Sequence, residues 1–376
     1  MLLEPLGRGG IAEYTRELAV ALAGESATVE VLTARDHGYG APAGVTVAGL
    51  VPWLRGSGRV SRALRAARLG PVVNALRFVA LLPRIVRHAR RAELVHIQGF
   101  YFPPLLALAM LLIRAAGVPV VHTPHNTFDR GRAHRLPRRV MAGSSARTIV
   151  HARADLPALP RPERGVVVPL GEFGRAARES PPADRGGARA RLGARDDETV
   201  VLLYGQLRPD KGIDDLLRAA AGQPQLRVVL AGEELGGLAQ AAPELARSEL
   251  DGRVVVLSGF QDAARTAELF AAADVVALPY RRASQSAVLF LAYGFERPVV
   301  VYPVGGLAEA VIPGETGWVC AASTPESLGE ALEEIHRAGS RERMRRGAAG
   351  RSLAETDYSW GSIARKTLGV YREAMA

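Results

Sequence analysis

Short β-branched runs separated by stretches of helical period are the feature that most narrows what this chain can fold into. Strand-like pieces fall at 28–33, 94–97, 118–123, 148–151, 165–169, 199–204, 226–231, 254–258, 274–279 and 298–302. Between most of them lie helical patterns, such as 14–23, 213–221 and 264–273. Strands that alternate with helices pair in parallel, because the helix is the crossover that returns the chain to the same edge. Several strands are apolar throughout, as expected when helices cover both faces of the sheet. The chain is an α/β protein, and no internal repeat interrupts the rhythm.

Its 376 residues make about two or three domains at roughly 100–200 residues each. A polar stretch from Gly171 to Asp197, with Pro181-Pro182 and Gly186-Gly187, breaks the alternation. The charge balance changes sign at the same place. Residues 1–170 carry 23 Arg against 10 acidic residues, so the remaining 25 of 48 basic and 28 of 38 acidic residues give the rest a slight negative charge. Composition and charge together divide the chain into a domain over 1–170, a linker over 171–197, a second domain over 198–355 and a last helical segment over 356–376.

A lone cysteine, Cys320, excludes an internal disulfide framework, and eight scattered histidines without metal-site spacing argue against a zinc centre. The apolar runs 72–86 and 99–113 both fall short of the ~20 residues that span a bilayer. The opening residues lack a signal-type n-region, so a cytoplasmic protein is expected. Nucleic acid is a poor partner, since aromatic residues are only 6% and no recognised module appears.

Three stretches have the makings of a site. The first is Gly7-Arg8-Gly9-Gly10-Ile11, running into a helix, where Gly9 and Gly10 let backbone amides approach an anion. A bare tight turn gives the same pattern, and a dinucleotide fingerprint is not met. The second is Tyr204-Gly205-Gln206-Leu207-Arg208-Pro209-Asp210-Lys211-Gly212. It sets Gly205, Gln206, Arg208 and one of only two lysines, Lys211, between a buried strand and a helix. A point-charge lysine and a forked arginine suit a pyrophosphate better than a solvated loop does. In the third, Pro279-Tyr280 ends a strand and the turn Ser284-Gln285-Ser286-Ala287-Val288 opens a helix. Arg297-Pro298-Val299, Gly305-Gly306…Glu309 and Gly314-Glu-Thr-Gly317 follow.

Taken in order, these blocks resemble the glycosyltransferases of family 4, which have the GT-B architecture. The likeness spans nearly the whole chain. It implies two Rossmann-like α/β/α domains whose parallel sheets face across a cleft, the C-terminal one holding a nucleotide-sugar donor and the N-terminal one the acceptor. A final helix would return to the first domain. It also implies retention of configuration, with donor contacts at Gly9, Gly10, Gly205, Gln206, Ser284, Gln285, Ser286, Ala287, Val288 and Glu309. Lys211 and Arg208 would neutralise the leaving diphosphate, so that no metal or other cofactor is required. His125 is expected beside the reacting sugar, with His96 and Asn126 orienting sugar or acceptor. Two glutamates usual in the family are replaced by Ala283 and Leu291, as in a Gln-Ser-x-Val variant of the pattern.

Between Trp53 and Arg91 stand 10 arginines and no acidic residue. Arg55, Arg59, Arg62 and Arg65 share a helical face, with Arg68 beyond, and apolar residues lie among them. Such a segment reads as a surface for anionic membrane and points to a lipid-linked or cell-envelope glycan acceptor. An ordinary solvated arginine face is the alternative. Three rival functions share the architecture: a catalytically silent binding homologue, a sugar-nucleotide epimerase, and a glycosyltransferase of soluble natural products.

Overall fold

The computed structural model describes the chain apart from residues 54–68, 126–133, 174–178, 180–182, 248–249 and 251. It divides into two compact units, Met1–Pro169 with Trp360–Ala376, and Leu170–Ser359.

The first unit is built on seven strands: β1 (Leu2–Leu3), β2 (Val29–Ala34), β3 (Val45–Val51), β4 (Val95–Gln98), β5 (Val120–Thr123), β6 (Arg147–Val150) and β7 (Gly165–Val167). All pair in parallel, in the order β3-β2-β1-β4-β5-β6-β7. β1 is only two residues long but fully buried between β2 and β4. β3 escaped the sequence reading because its side chains are half exposed at the sheet edge, which dilutes the apolar run of a central strand. Helices α1 (Gly10–Gly24), α2 (Gly70–Ala89), α3 (Pro103–Ala115) and α4 (Arg135–Ser144) connect the strands. Phe78, Leu81, Leu82 and Ile85 of α2 and Leu106, Met110 and Ile113 of α3 pack with β4 and β5 into one apolar core.

The second unit opens with α5 (Arg185–Arg191) and carries β8 (Thr199–Tyr204), α6 (Ile213–Ala221), β9 (Leu226–Gly232), α7 (Gly237–Leu245), β10 (Val254–Ser258) and α8 (Ala263–Ala272). Then come β11 (Val275–Leu278), α9 (Ala287–Gly294), β12 (Val299–Val301), α10 (Gly305–Glu309), β13 (Gly317–Val319) and the long α11 (Pro325–Thr356), broken at Gly339. Its six parallel strands are ordered β10-β9-β8-β11-β12-β13. The last helix, α12 (Trp360–Met375), belongs to the first unit, where it packs on α1, β5 and β6.

The stretch expected as a linker over 171–197 is corrected in its second half, which is part of the second unit. Asp184 caps α5 by accepting hydrogen bonds from the Gly186 and Gly187 amides. Arg185 and Arg189 then reach the buried Asp274 carboxylate, each at 2.8 Å. Asp274 also accepts the Val200 amide at 2.8 Å, while Arg189 donates to the carbonyls of Arg195 and Glu198. The arginines that read as connector composition are therefore tertiary contacts, invisible without knowing their partner.

Removing one member of a buried ion pair strands the other, at a cost of about 3–5 kcal/mol. Asp274→Ala is expected to lower the unfolding free energy of the second unit by that amount in urea denaturation, and Asp274→Asn by less.

Candidate active site

In the second unit the strand order reverses between β8 and β11, and loops at such a switch point leave the sheet in opposite directions around a crevice. Here the loop after β8 touches the loop after β11. Gly212, at φ 66°, lies so close to Pro279 that a Cβ atom would sit 2.1 Å from its carbonyl oxygen. The Arg281 amide donates to the Asp210 carbonyl at 3.0 Å. A side chain at 212 would push the two loops apart.

This contact places Lys211 over the ring of Tyr280, with Nζ 3.6 Å from the centroid. A cation over an aromatic face is held by the ring quadrupole. Tyr280 is buried, and burial pushes its phenol up to about 12, with a side-chain hydrogen bond to Ser286 opposing. Ser286 is the N-cap of α9 but makes no side-chain cap bond to the helix. The amide of Val288 is thus left without the acceptor that a capping serine usually provides, and that of Ala287 stands beside it at the head of the helix. A side chain at Gly205 would meet Val288 at 3.4 Å, so these two predicted positions are neighbours. Gln285 turns back to donate to the Gly306 carbonyl at 2.9 Å, and Gly306 donates to Ser284 at 2.9 Å. Those bonds draw the Gly305-Gly306 loop, after β12, onto the same turn. Gln206 and Glu309 are exposed on this unit, Glu309 at the end of α10.

Charge is distributed differently from the expected two-cation clamp. Arg208 closes its fork on Asp210, at 2.9 and 2.7 Å, so its guanidinium is engaged. The intervening Pro209 turns the chain into a short 3-10 helix that brings these two side chains together. Arg281 is held likewise by Asp214 and Asp215, at 2.6 and 2.7 Å. No carboxylate lies within ion-pairing distance of Lys211 among the described residues, and burial lowers its amine to about 8. Ala283 and Leu291, at the positions where the resemblance implies glutamates, are buried.

The first unit holds a second constellation. Gly9, at φ 83°, is the N-cap of α1, and a Cβ at Gly9 or Gly10 would meet no atom within 4 Å. The loop before it is pinned by Glu4, which the sequence reading missed. Its carboxylate accepts from the Leu6 and Gly7 amides at 2.9 and 2.6 Å, and from the hydroxyls of Thr33 and Tyr39. Burial raises its pKa, and those four donors oppose the shift. An acidic residue closing a buried strand is the signal that could have found it.

His125 sits just past β5 in the left-handed region, at φ 57°. Its Nε2 lies 2.8 Å from the Gln98 carboxamide and its Nδ1 3.0 Å from Nε2 of His151. Tyr14 of α1 packs edge-on against the ring, 4.7 Å between centroids. His96 cannot orient a substrate as expected. It is fully buried, and its ring nitrogens are taken by Tyr371 and Thr123, each at 2.7 Å. Burial drives His96 and His125 well below the usual imidazole range and lowers His122 and His151 to about 4, so all four rings are neutral. Gln98, His151 and Tyr371 were missed; histidines at the ends of consecutive strands were the available hint. Asn126 and the arginines 55, 59, 62, 65 and 68 lie outside the described residues. Among the described residues no cluster of His, Cys, Asp and Glu could hold a metal ion.

Comparison with known proteins assigns a family to each half. Residues 9–171 match the glycosyl transferase 4-like domain, and residues 184–352 match the glycosyl transferases group 1 model. The D-inositol 3-phosphate glycosyltransferase of Mycobacterium tuberculosis is 37% identical over 203 residues, which is 52% of this chain and 41% of that protein. The chain therefore matches less than half the length of these curated relatives. Among solved structures, Anabaena HepE in complex with UDP and glucose has a TM-score of 0.74 at 21% identity, covering 99% of this chain and 98% of its own. The catalytic domain of starch synthase IV from Arabidopsis thaliana, bound to ADP and acarbose, has a TM-score of 0.76 at 14% identity, covering 100% and 98%. Each unit thus matches one glycosyltransferase domain model, a 4-like domain preceding a group 1 domain, on a fold shared with solved GT-B structures.

Proposed function

We propose that this chain transfers a hexose from a nucleotide-sugar donor to an acceptor hydroxyl, with retention of configuration. The observation that carries the reading is the convergence at the β8–β11 switch point: the Lys211 ammonium, the leading α9 amides of Ala287 and Val288, and the bare backbone of Gly205. All three are suited to a diphosphate. The nucleotide-bound state of the Anabaena and Arabidopsis structures supports a nucleotide sugar as the donor class. As the sugar–phosphate bond breaks, negative charge grows on the diphosphate. Lys211 and the helix dipole stabilise it without a metal ion. Arg208 joins them if the diphosphate displaces Asp210 from its fork. His125 is the group assigned to the reacting sugar, and the Gly9-Gly10 loop to the donor.

A lipid-linked or cell-envelope acceptor, taken at the cytoplasmic face of a membrane, fits the surface of the first unit. No described helix is long and apolar enough to cross a bilayer. Yet α2 exposes Val72, Leu76 and Val79, α3 exposes Leu108, Leu111 and Leu112, and Arg84, Arg87, Arg90 and Arg91 follow on α2 and just beyond it. Leu112 shares a groove with Leu82, Val86 and those last arginines. Aliphatic side chains beside arginines suit an anionic lipid surface, at about 1 kcal/mol per engaged arginine. The pairing of Leu76→Glu with Leu111→Glu is expected to abolish co-flotation with anionic vesicles at low salt. Flotation equal to the parent protein would exclude this surface.

Thermal protection by a panel of nucleotide sugars should identify the donor, since a ligand of the folded state raises stability by mass action. Lys211→Ala is expected to weaken that donor about tenfold to a hundredfold, the ~1.5–3 kcal/mol of a hydrogen bond to a charged group. Unchanged affinity would remove the clamp. Turnover by the parent protein separates transfer from the silent-homologue reading that Ala283 and Leu291 suggest.

The Lys211 amine is charged below about pH 8 and neutral above it. Donor affinity measured by calorimetry is therefore expected to fall as pH rises through 8. Lys211→Arg, which stays charged, should lose that alkaline limb.

A further inference from the structure

A cluster of arginines lies at the pole of the second unit opposite the candidate site. The parallel strands β8, β11 and β12 end at that site, and they begin near Asp274 and Arg297, which precede β11 and β12. α5 brings Arg185 and Arg189 onto the Asp274 carboxylate, each at 2.8 Å. α11 adds Arg343, whose Nε stands 3.7 Å from the same carboxylate. The helix comes this close because Gly347, one turn on and on the same face, packs against the Glu296 carbonyl, where a Cβ would sit 2.0 Å from the oxygen. Arg297 completes the group: after burial, the charges of Arg185 and Asp274 bear on it most.

The charges in this cluster do not balance. Asp274 is the one carboxylate, among the described residues, within ion-pairing distance of any of the four guanidinium groups. It is already engaged, Oδ1 by Arg185 and Oδ2 by Arg189 and the Val200 amide. Glu296, next to Arg297, is exposed and pairs with Arg351 at 3.5 Å. Arg189 and Arg343 place donors on backbone carbonyls, Arg343 on those of Ile335 and His336. The Arg297 side chain makes no hydrogen bond among the described residues, and its Nε and that of Arg343 are buried without an acceptor. Burial lowers Arg297 only to about 10, so it stays charged at neutral pH. Unmatched cations crowded in a partly desolvated place cost stability, and an anion that settled among them would relieve that cost. The way in is open, since 40% of the Arg185 side chain is exposed and Arg297 is partly exposed.

We infer that Arg185, Arg297 and Arg343 form an anion site, separate from the candidate active site, that takes a tetrahedral dianion: inorganic phosphate or the phosphoryl group of a monoester. Guanidinium forks match the oxygens of such a group two at a time, which a point charge does not. The bound anion would supply the missing counter-charge and tie α5 and α11 to the start of β12. Nothing in this inference depends on the transfer reaction.

Calorimetric titration of the full chain with inorganic phosphate, at ionic strength held constant with chloride, tests the site. A saturable heat is expected that survives Lys211→Ala and is lost in Arg297→Met. Arg297→Lys, which keeps the charge but not the fork, should weaken binding about tenfold. Glycerol 2-phosphate in place of phosphate separates the sources: equal binding assigns a phosphoryl group in general, and binding of phosphate alone assigns the free anion. Thermal unfolding gives an independent reading. Without phosphate, Arg297→Met should melt at or above the temperature of the parent, because it removes an unpaired charge. With phosphate at a hundredfold excess over Kd, the parent should gain about 5–10 °C and the variant only the general salt effect. Three results would overturn the proposal: no saturable heat in the parent, a heat lost in Lys211→Ala but kept in Arg297→Met, or a phosphate-free Arg297→Met that melts several degrees lower. The second would put the phosphate at the candidate active site, and the third would make Arg297 a structural brace.

Discussion

The approach of Gly212 to the Pro279 carbonyl is the constraint on which the candidate site of the second unit depends. Two loops that leave adjacent parallel strands at a switch point normally diverge. Here they are held in contact because position 212 has no Cβ and adopts a positive φ. The same contact sets Lys211 over Tyr280, and Tyr280 in turn engages Ser286. One backbone approach thereby determines where a cation and a helix N-terminus lie relative to each other. Electrostatic stabilisation depends on such preorganisation, because dipoles fixed before the reaction cost nothing to reorient during it.

The site also shows why the rare lysine and the abundant arginines are not interchangeable. The arginines near the loops are forks closed on carboxylates: Arg208 on Asp210, and Arg281 on Asp214 and Asp215. They fasten the loops together. Lys211 rests on an aromatic face, and its desolvation, partly opposed by the nearby Asp210, lowers its pKa. A desolvated point charge gains more from an incoming anion than a cation already neutralised by a neighbour, since both its Coulomb term and its proton affinity rise on binding.

Most of the second unit was legible in the sequence, because its strands are continuous apolar runs and its loops carry glycines where the backbone needs them. The limits 199–204, 213–221 and 254–258 coincide with β8, α6 and β10. What could not be read was pairing between distant residues. Nothing in Arg185 or Arg189 announces Asp274, and nothing in Asp210 says that it will occupy Arg208. The first unit was less legible for the same reason. His96 and His125 look alike as histidines near strand ends, yet His96 is sealed between Tyr371 and Thr123 while His125 lies just outside its strand. Glu4 and His151 matter through the groups they hold, and sequence patterns register faces and turns, not hydrogen-bond polarity.

At Ala283 and Leu291, where the resemblance leads one to expect glutamates, the surroundings are packed for small and apolar side chains. Ala283 and Leu291 are 6% and 8% exposed, and the Ala283 carbonyl lies where any side chain on Gly305 would have to go. Restoring glutamate at either place would move a carboxylate into an apolar, crowded setting, where an unpaired charge costs several kcal/mol. The 284–288 turn is instead closed by the bond from Gln285 to the Gly306 carbonyl, beside the buried Tyr280. On the proposed reading, diphosphate recognition is kept by Lys211 and the α9 amides. Recognition of the sugar hydroxyls must then come from groups other than carboxylates at positions 283 and 291.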